Sequence, residues 1–579
     1  MKTLRGLGTV GVLSTLALLV TLGATTANAQ AVSPSGSIKF EATVPKPPAQ
    51  LPTLKLTPQA APVDLMNRLL GETSGGGKLT SLAATPFFQK NKLKVPEQMV
   101  GVVEGEHVKA WADLRTGDAQ IYPTLSDLKP ISADAAKDLA SRTRAIFESP
   151  DFIAHDDTRF VISTPQILNG ATLVRDSNGV THAEKPQAPY LVYVSARRMV
   201  ADLPVDGPGS RATLAVSEGG SVQGLTRVWK TAKTAEMVSP SLSAAQVRDQ
   251  IARQLEPASK NAEVVVDSIE LAYYDSNHEF LQPVYRFTAR IRQRTTAGAP
   301  PTADDFVIGY VPFAKAFEAL PSLTETAGPQ PQEAAPNPKP PSDASSHPTT
   351  DPVLGRYVVR NDDPGWVNDA NVFWSSLSAT WTGPQFTNSQ YYWAEPRLFM
   401  NQKDSFINAM NLALVEAHGD WWLYSTLKNC CDLVNINGGI PSPGYGPSAN
   451  GQLADWIIHS CEVVPAPEDT ASWPNPWWNI FGGVRNVVGY RTIMYIDDGA
   501  GGPYGTSLGN LAPVVSSWLS DVISLNAYSG HPTYPAHGGV VRPMGRPSTI
   551  SMCGHDGDSV LSTSSLGRAS CLTVWWFPD

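Results

Sequence analysis

Two stretches decide how this chain reads: Met410-Asn411-Leu412-Ala413-Leu414-Val415-Glu416-Ala417-His418-Gly419-Asp420, and Leu453-Ala454-Asp455-Trp456-Ile457-Ile458-His459-Ser460-Cys461-Glu462. Each is a short apolar run that ends in a reactive side chain. Apolar runs without polar alternation suit strands buried on both faces of a parallel sheet. In open α/β sheets, ligands bind outside the carboxyl ends of the strands. The two runs therefore predict a site built by His418 and Cys461 at strand ends, with a right-handed helical crossover filling the interval between them. Phe406 to Leu414 reads as opening in a helix before it shades into the strand.

The residue types fit one chemistry. Sulfur attack on a carbonyl requires a thiolate or a thiol near a base, a proton source for the leaving group, and amide donors for the oxyanion. Cys461 supplies the sulfur, His418 the imidazole, and Gly419 an N–H that can approach closely because no Cβ intervenes. A blander assignment competes, because an unpaired cysteine is often simply a small core residue. Cys461 is then a structural thiol and His418 a satisfied histidine. His459, two residues before Cys461, faces the same side of the strand and is a rival base. A separate motif, Gly505-Thr506-Ser507-Leu508-Gly509, fits the G-x-S-x-G elbow of serine hydrolases, with Asp521 and His531, His537 or His555 downstream. An elbow needs a strand running into the serine, whereas Asp497 to Tyr504 reads as a Gly-rich loop.

Around this core the chain divides by composition. Met1-Lys2-Thr3-Leu4-Arg5, an apolar run from Val10 to Leu22, and Ala27-Asn28-Ala29 read as a cleaved secretory signal over residues 1–29, so a secreted or periplasmic protein is expected. Residues 30–63 read as a disordered leader, 64–185 and 186–325 as two α+β modules, 326–351 as a Pro-rich linker, and 352–579 as an α/β domain. No later segment has the long uncharged apolar run that a membrane span needs. A net charge of −9 argues against a nucleic-acid surface, since phosphate binding needs clustered Lys and Arg. All five cysteines, Cys430, Cys431, Cys461, Cys553 and Cys571, lie in the last domain. Cys553 and Cys571 are the easiest disulfide pair, and the arithmetic permits Cys461 to stay free. Neither Cys553-Gly554-His555-Asp556 nor Cys430-Cys431 has the spaced ligand pairs of a zinc site, and there is no phosphate loop, so neither metal nor cofactor is expected.

An apolar block ending in His418-Gly419, then another ending at Cys461, resembles the caspase-like cysteine peptidases, which include gingipains, legumains and caspases. The stretch Gly483-Val484-Arg485-Asn486-Val487-Val488-Gly489-Tyr490 is similar to the strand those enzymes place after the nucleophile. The resemblance implies a three-layer α/β domain, Cys461 as nucleophile, His418 as general acid and base, Gly419 and Cys461 N–H groups as oxyanion donors, and a peptide or protein substrate. His459-Ser460-Cys461 replaces the caspase Gln-Ala-Cys, so a preference for Asp is not carried over. The helix expected at Ser243, with Leu271-Ala272-Tyr273-Tyr274 and Pro283-Val284-Tyr285-Arg286-Phe287, resembles PepSY, the small module found in propeptides of secreted peptidases, and implies a prosegment or targeting role. The expectations are a secreted cysteine endopeptidase, a non-catalytic exported binding protein that kept the fold, and, behind both, a serine hydrolase using Ser507.

Overall fold

Consecutive aliphatic residues without polar alternation form the centre of the C-terminal part. The computed structural model describes Ile38–Asp579 except residues 74, 92, 133–134, 261, 294–303, 324–351, 359–364, 380–385, 393, 426–432, 497, 531, 536–539 and 564–565. The expected signal peptide, the Pro-rich linker, Cys430 and Cys431 lie outside the described residues. Five strands run parallel: β1 (Val353–Val358), β2 (Thr387–Tyr392), β3 (Leu412–Glu416), β4 (Asp455–His459) and β5 (Asn486–Tyr490). Their order across the sheet is β2-β1-β3-β4-β5. A two-residue strand, β6 (Tyr495–Ile496), follows, and β7 (Pro547–Met552) and β8 (Cys571–Trp576) extend the sheet antiparallel beyond β5.

Alternate side chains of β3 and β4 enter two different cores. Leu412, Leu414 and Ile457 join the cluster that contains helices α1 (Trp366–Ser378), α2 (Gly501–Gly509) and α3 (Val514–Ser524). Ala413, Val415, Trp456 and Ile458 join the opposite cluster, where Trp473, Trp477 and Trp478 sit in loops and short helical turns rather than on a second layer of long helices. The β3–β4 interval also differs from expectation. Among the described residues it holds a small antiparallel sheet (Gly419–Asp420, Leu423–Ser425, Leu433–Asn435) and a 3-10 turn at Pro447–Ala449, not a crossover helix. Phe406 to Leu414 likewise is no helix: 3-10 turns at Lys403–Ser405 and Ile407–Ala409 lead directly into β3.

In the N-terminal half, helix Ala244–Ser259 starts where the sequence placed it. The Ser243 hydroxyl accepts from the Gln246 N–H and the Gln246 side chain accepts from the Ser243 N–H, a reciprocal cap that satisfies donors the helix start leaves unpaired. Val247, Ile251 and Leu255 are buried together with residues of the antiparallel strands Ala262–Asp275, Phe280–Gln293 and Asp305–Pro312. The segment read as a disordered leader needs correcting in its described part. Leu51–Thr57 is a strand paired with Thr231–Val238, with Leu51, Leu54 and Leu56 buried. Its apolar residues were hidden among the prolines on which the compositional reading rested. Strand Thr181–Val200 also runs across the boundary drawn between the two modules.

The architecture is multidomain, with mixed sheets and few helices, yet Gly36–Asp579 packs as one unit. Strand Gln166–Arg175 pairs with β8 from Asn169↔Trp576 to Val174↔Cys571, and Asp305–Pro312 pairs in parallel with β6 through Phe306↔Tyr495. Among the described residues no helix is long and apolar enough to cross a membrane.

Candidate functional site

The parallel register aligns Glu416 of β3 with His459 of β4 at the carboxyl ends of both strands. Both share strand parity with Leu414 and Ile457, so they face the helices, where α1 contributes Asp369. His459 Nδ1 lies 2.7 Å from Glu416 Oε2 and 3.1 Å from Asp369 Oδ2, and Nε2 lies 3.5 Å from Asp498 Oδ1. All four side chains are buried. Burial opposes charge on His459, but Glu416, Asp369 and Asp498 outweigh it and hold the imidazole protonated. Burial, reinforced by Asp369, pushes the Glu416 carboxyl well up. Asp369 is desolvated too, yet His459 and a hydrogen bond from Glu416 keep it ionised. Asp498 accepts from the hydroxyls of Tyr490 and Tyr528 and from the Ala500 N–H. Ligand atoms of Asp369, Glu416 and His459 all lie within 4.8 Å of one another, a donor set of cation-binding type. Nδ1 faces both Glu416 and Asp369, an arrangement that favours a protonated ring. His459 is thus a buried imidazole with carboxyl groups facing both of its nitrogens.

Two residues beyond each strand end come His418 and Cys461. The peptide that carries them closes tightly: a Cβ built on Gly419 would lie 2.2 Å from Ser460 Oγ and 2.5 Å from the Cys461 carbonyl oxygen. Only glycine permits that approach, so the sequence His418-Gly419 lets the two strand-end loops touch. Cys461 is unpaired and 7% exposed, and its thiol is 3.9 Å from the Met494 carbonyl, to which it donates. Burial pushes the thiol well up, and the negative charges of Asp305 and Glu462 add to that. The free protein therefore holds a thiol here, not a thiolate. His418 Nδ1 lies 2.5 Å from Asp305 Oδ1, and the Trp366 ring packs edge-on at 5.3 Å from the imidazole. Asp305 belongs to the N-terminal half, in which the sequence analysis places no candidate site residue.

The other sequence candidates fall elsewhere. Ser507 lies inside helix α2, not at a strand-to-helix elbow, and its hydroxyl donates to Asp521 Oδ2 at 2.6 Å while accepting from Tyr122 at 3.1 Å. Gln120 and Arg211 also donate to Asp521 Oδ1, at 3.0 and 3.1 Å. This fully buried network ties the two halves together. His531 and His537 lie outside the described residues, and His555 pairs with Asp558 at 2.9 Å. Cys553 and Cys571 form a disulfide. Beside it a cavity of about 190 Å³ is lined by Glu184, Lys185, Tyr190, Asp556 and Trp575 among others, and by neither His418 nor Cys461. Burial raises Asp556 there to about 6.

Of the functional residues that sequence reasoning passed over, Glu416 carried a signal: a carboxylate at the end of an otherwise apolar strand. Asp305 and Asp369 carried none, because only the tertiary fold brings them to the strand ends.

Comparison with known proteins adds similarity without an activity. A family model described as "Domain of unknown function (DUF6345)" matches residues 442–543, a span that includes His459 and Cys461 but neither His418 nor Asp305. No curated protein matches the chain in sequence. Among solved structures, an uncharacterised protein from Eubacterium rectale is similar over 48% of this chain and 88% of its own, at 11% identity and a TM-score of 0.26.

Proposed function

We propose that the chain is an exported cysteine endopeptidase of caspase-like type, with Cys461 as nucleophile, His418 as general acid and base, and the Gly419 and Cys461 N–H groups as oxyanion donors. The PepSY-like module and the rest of the N-terminal half would support or target it. One observation carries the reading: His418 and Cys461 follow the carboxyl ends of neighbouring parallel strands, β3 and β4, and their loops are in contact at Gly419. That is where an open α/β sheet gathers reactive groups. The direct test is turnover of fluorescein-labelled casein by the secreted full chain. Cys461→Ala and His418→Ala should each abolish cleavage with little change in melting temperature, and the double variant should be no worse than either one, because members of a catalytic unit are non-additive. Activity that survives in Cys461→Ala would sink the reading.

The burial and protonation of Cys461 favour a second reading, an exported binding protein that kept the fold without the chemistry. Under it, no protein substrate is cut, and Cys461 reacts with iodoacetamide no faster in the folded chain than its burial allows.

A further inference from the structure

Asp305 is the first residue of a strand whose position is fixed from both edges. Ile291 pairs with it on one side, and on the other the strand adds in parallel to β6 immediately after Met494, whose carbonyl receives the Cys461 thiol. The carboxylate is 6% exposed and meets His418 Nδ1 at 2.5 Å, while Trp366 packs against the ring. The imidazole is therefore held by a carboxylate and an aromatic edge that come from opposite halves of the chain.

We propose that Asp305, contributed by the N-terminal half, is the positioning carboxylate of His418, so that the proton-transfer unit is Cys461, His418 and Asp305. The inference rests on the peptidase reading and adds to it a residue outside the C-terminal domain. Its logic follows from the state of the sulfur. A buried thiol must lose its proton during attack rather than beforehand, so the base becomes an imidazolium as the bond forms. A carboxylate at ion-pair distance from Nδ1 favours the proton on that nitrogen, leaves Nε2 for the transferring role, and stabilises the imidazolium. As Cys461 Sγ bonds to the carbonyl carbon, its proton passes to His418 Nε2 and the carbonyl π electrons move to oxygen. When the C–N bond breaks, Nε2 returns the proton to the leaving amine. Water then hydrolyses the thioester through the same nitrogen, restoring the thiol and releasing the acid. Asp305 stays ionised throughout.

The test uses the full chain and casein. Asp305→Asn, nearly isosteric, should lower kcat about 10²- to 10⁴-fold with KM unchanged, and Asp305→Glu should recover part of the loss. Asp305→Asn combined with His418→Ala should equal His418→Ala alone, which a merely structural contribution would not give. Melting temperatures identify any variant that fails to fold. Turnover within threefold of wild type in Asp305→Asn would overturn the proposal, and a rise would show that Asp305 obstructs the site. If Cys461→Ala remains active, the peptidase reading fails, a result distinct from an inert Asp305→Asn beside an inactive Cys461→Ala. A second measurement is carbamidomethylation of Cys461 by iodoacetamide. Asp305→Asn and His418→Ala should slow it by a similar factor, about fivefold or more, and faster labelling in Asp305→Asn would again overturn the proposal.

Discussion

His459 and Cys461 stand two residues apart, both buried, and burial leads to opposite protonation outcomes. For Cys461 desolvation, with Asp305 and Glu462 behind it, outweighs the Met494 hydrogen bond and the charge of His459, so the thiol is pushed up. For His459 the neighbouring Glu416, Asp369 and Asp498 outweigh desolvation and hold the imidazole well above its ordinary value. Removing one partner of a buried ion group leaves the others uncompensated and costs about 3–5 kcal/mol. His459→Gln should lose that much in urea unfolding at neutral pH, whatever it does to activity. The pH dependence has a definite sign. The folded pKa of His459 lies above its unfolded value, so its contribution is complete below about pH 6.5 and is lost as the pH rises through the folded value. The alkaline fall in stability should therefore be shallower in His459→Gln than in the wild type, and an unchanged alkaline limb would show that the ring is neutral in the fold.

At the scale of elements, the contact between strand-end loops is the most exacting feature. Gly419→Ala places a methyl within 2.5 Å of the Cys461 carbonyl and closer still to Ser460 Oγ. Overpacking of this kind costs about 1–3 kcal/mol, and because the strain falls on the peptide that presents Cys461, turnover of casein should drop further than stability does. Equal activity at reduced melting temperature would place the reacting atoms elsewhere. This part of the molecule was legible because its signals are local: apolar runs made β3 and β4, and the Ser243 cap opened its helix. What was not legible was set by distant partners. Leu511 to Leu525 has amphipathic spacing, yet α3 is buried nearly all round because it lies between the C-terminal sheet and strands Arg211–Val216 and Val222–Val228 of the other half. The β3–β4 crossover needs only a connection of sufficient length, and a small sheet serves as well as a helix. No spacing rule reaches from His418 back to Asp305.

For the whole molecule, the Pro-rich stretch 326–351 separates two compositions but not two particles. Strand Gln166–Arg175 continues the C-terminal sheet beyond β8, Thr172 and Thr573 hydroxyls meet at 3.2 Å, and the Tyr193 ring packs on Phe577 at 5.2 Å. Asp521, from α3, accepts from Gln120 and Arg211 of the N-terminal half inside a fully buried network. Interfaces with the continuity of a core do not part when a covalent tether is cut. Limited proteolysis should cleave first within 326–351, the Pro-rich stretch between the two compositions. The nicked protein should nevertheless elute as one particle in native buffer and separate only in denaturant. A C-terminal fragment that elutes alone would show that the shared sheet does not hold. The same experiment bears on the site, because Asp305 lies upstream of the cut. Nicked but associated protein should keep the casein activity of the intact chain, and any fragment freed of the N-terminal half should lose it, since His418 would then lack its carboxylate.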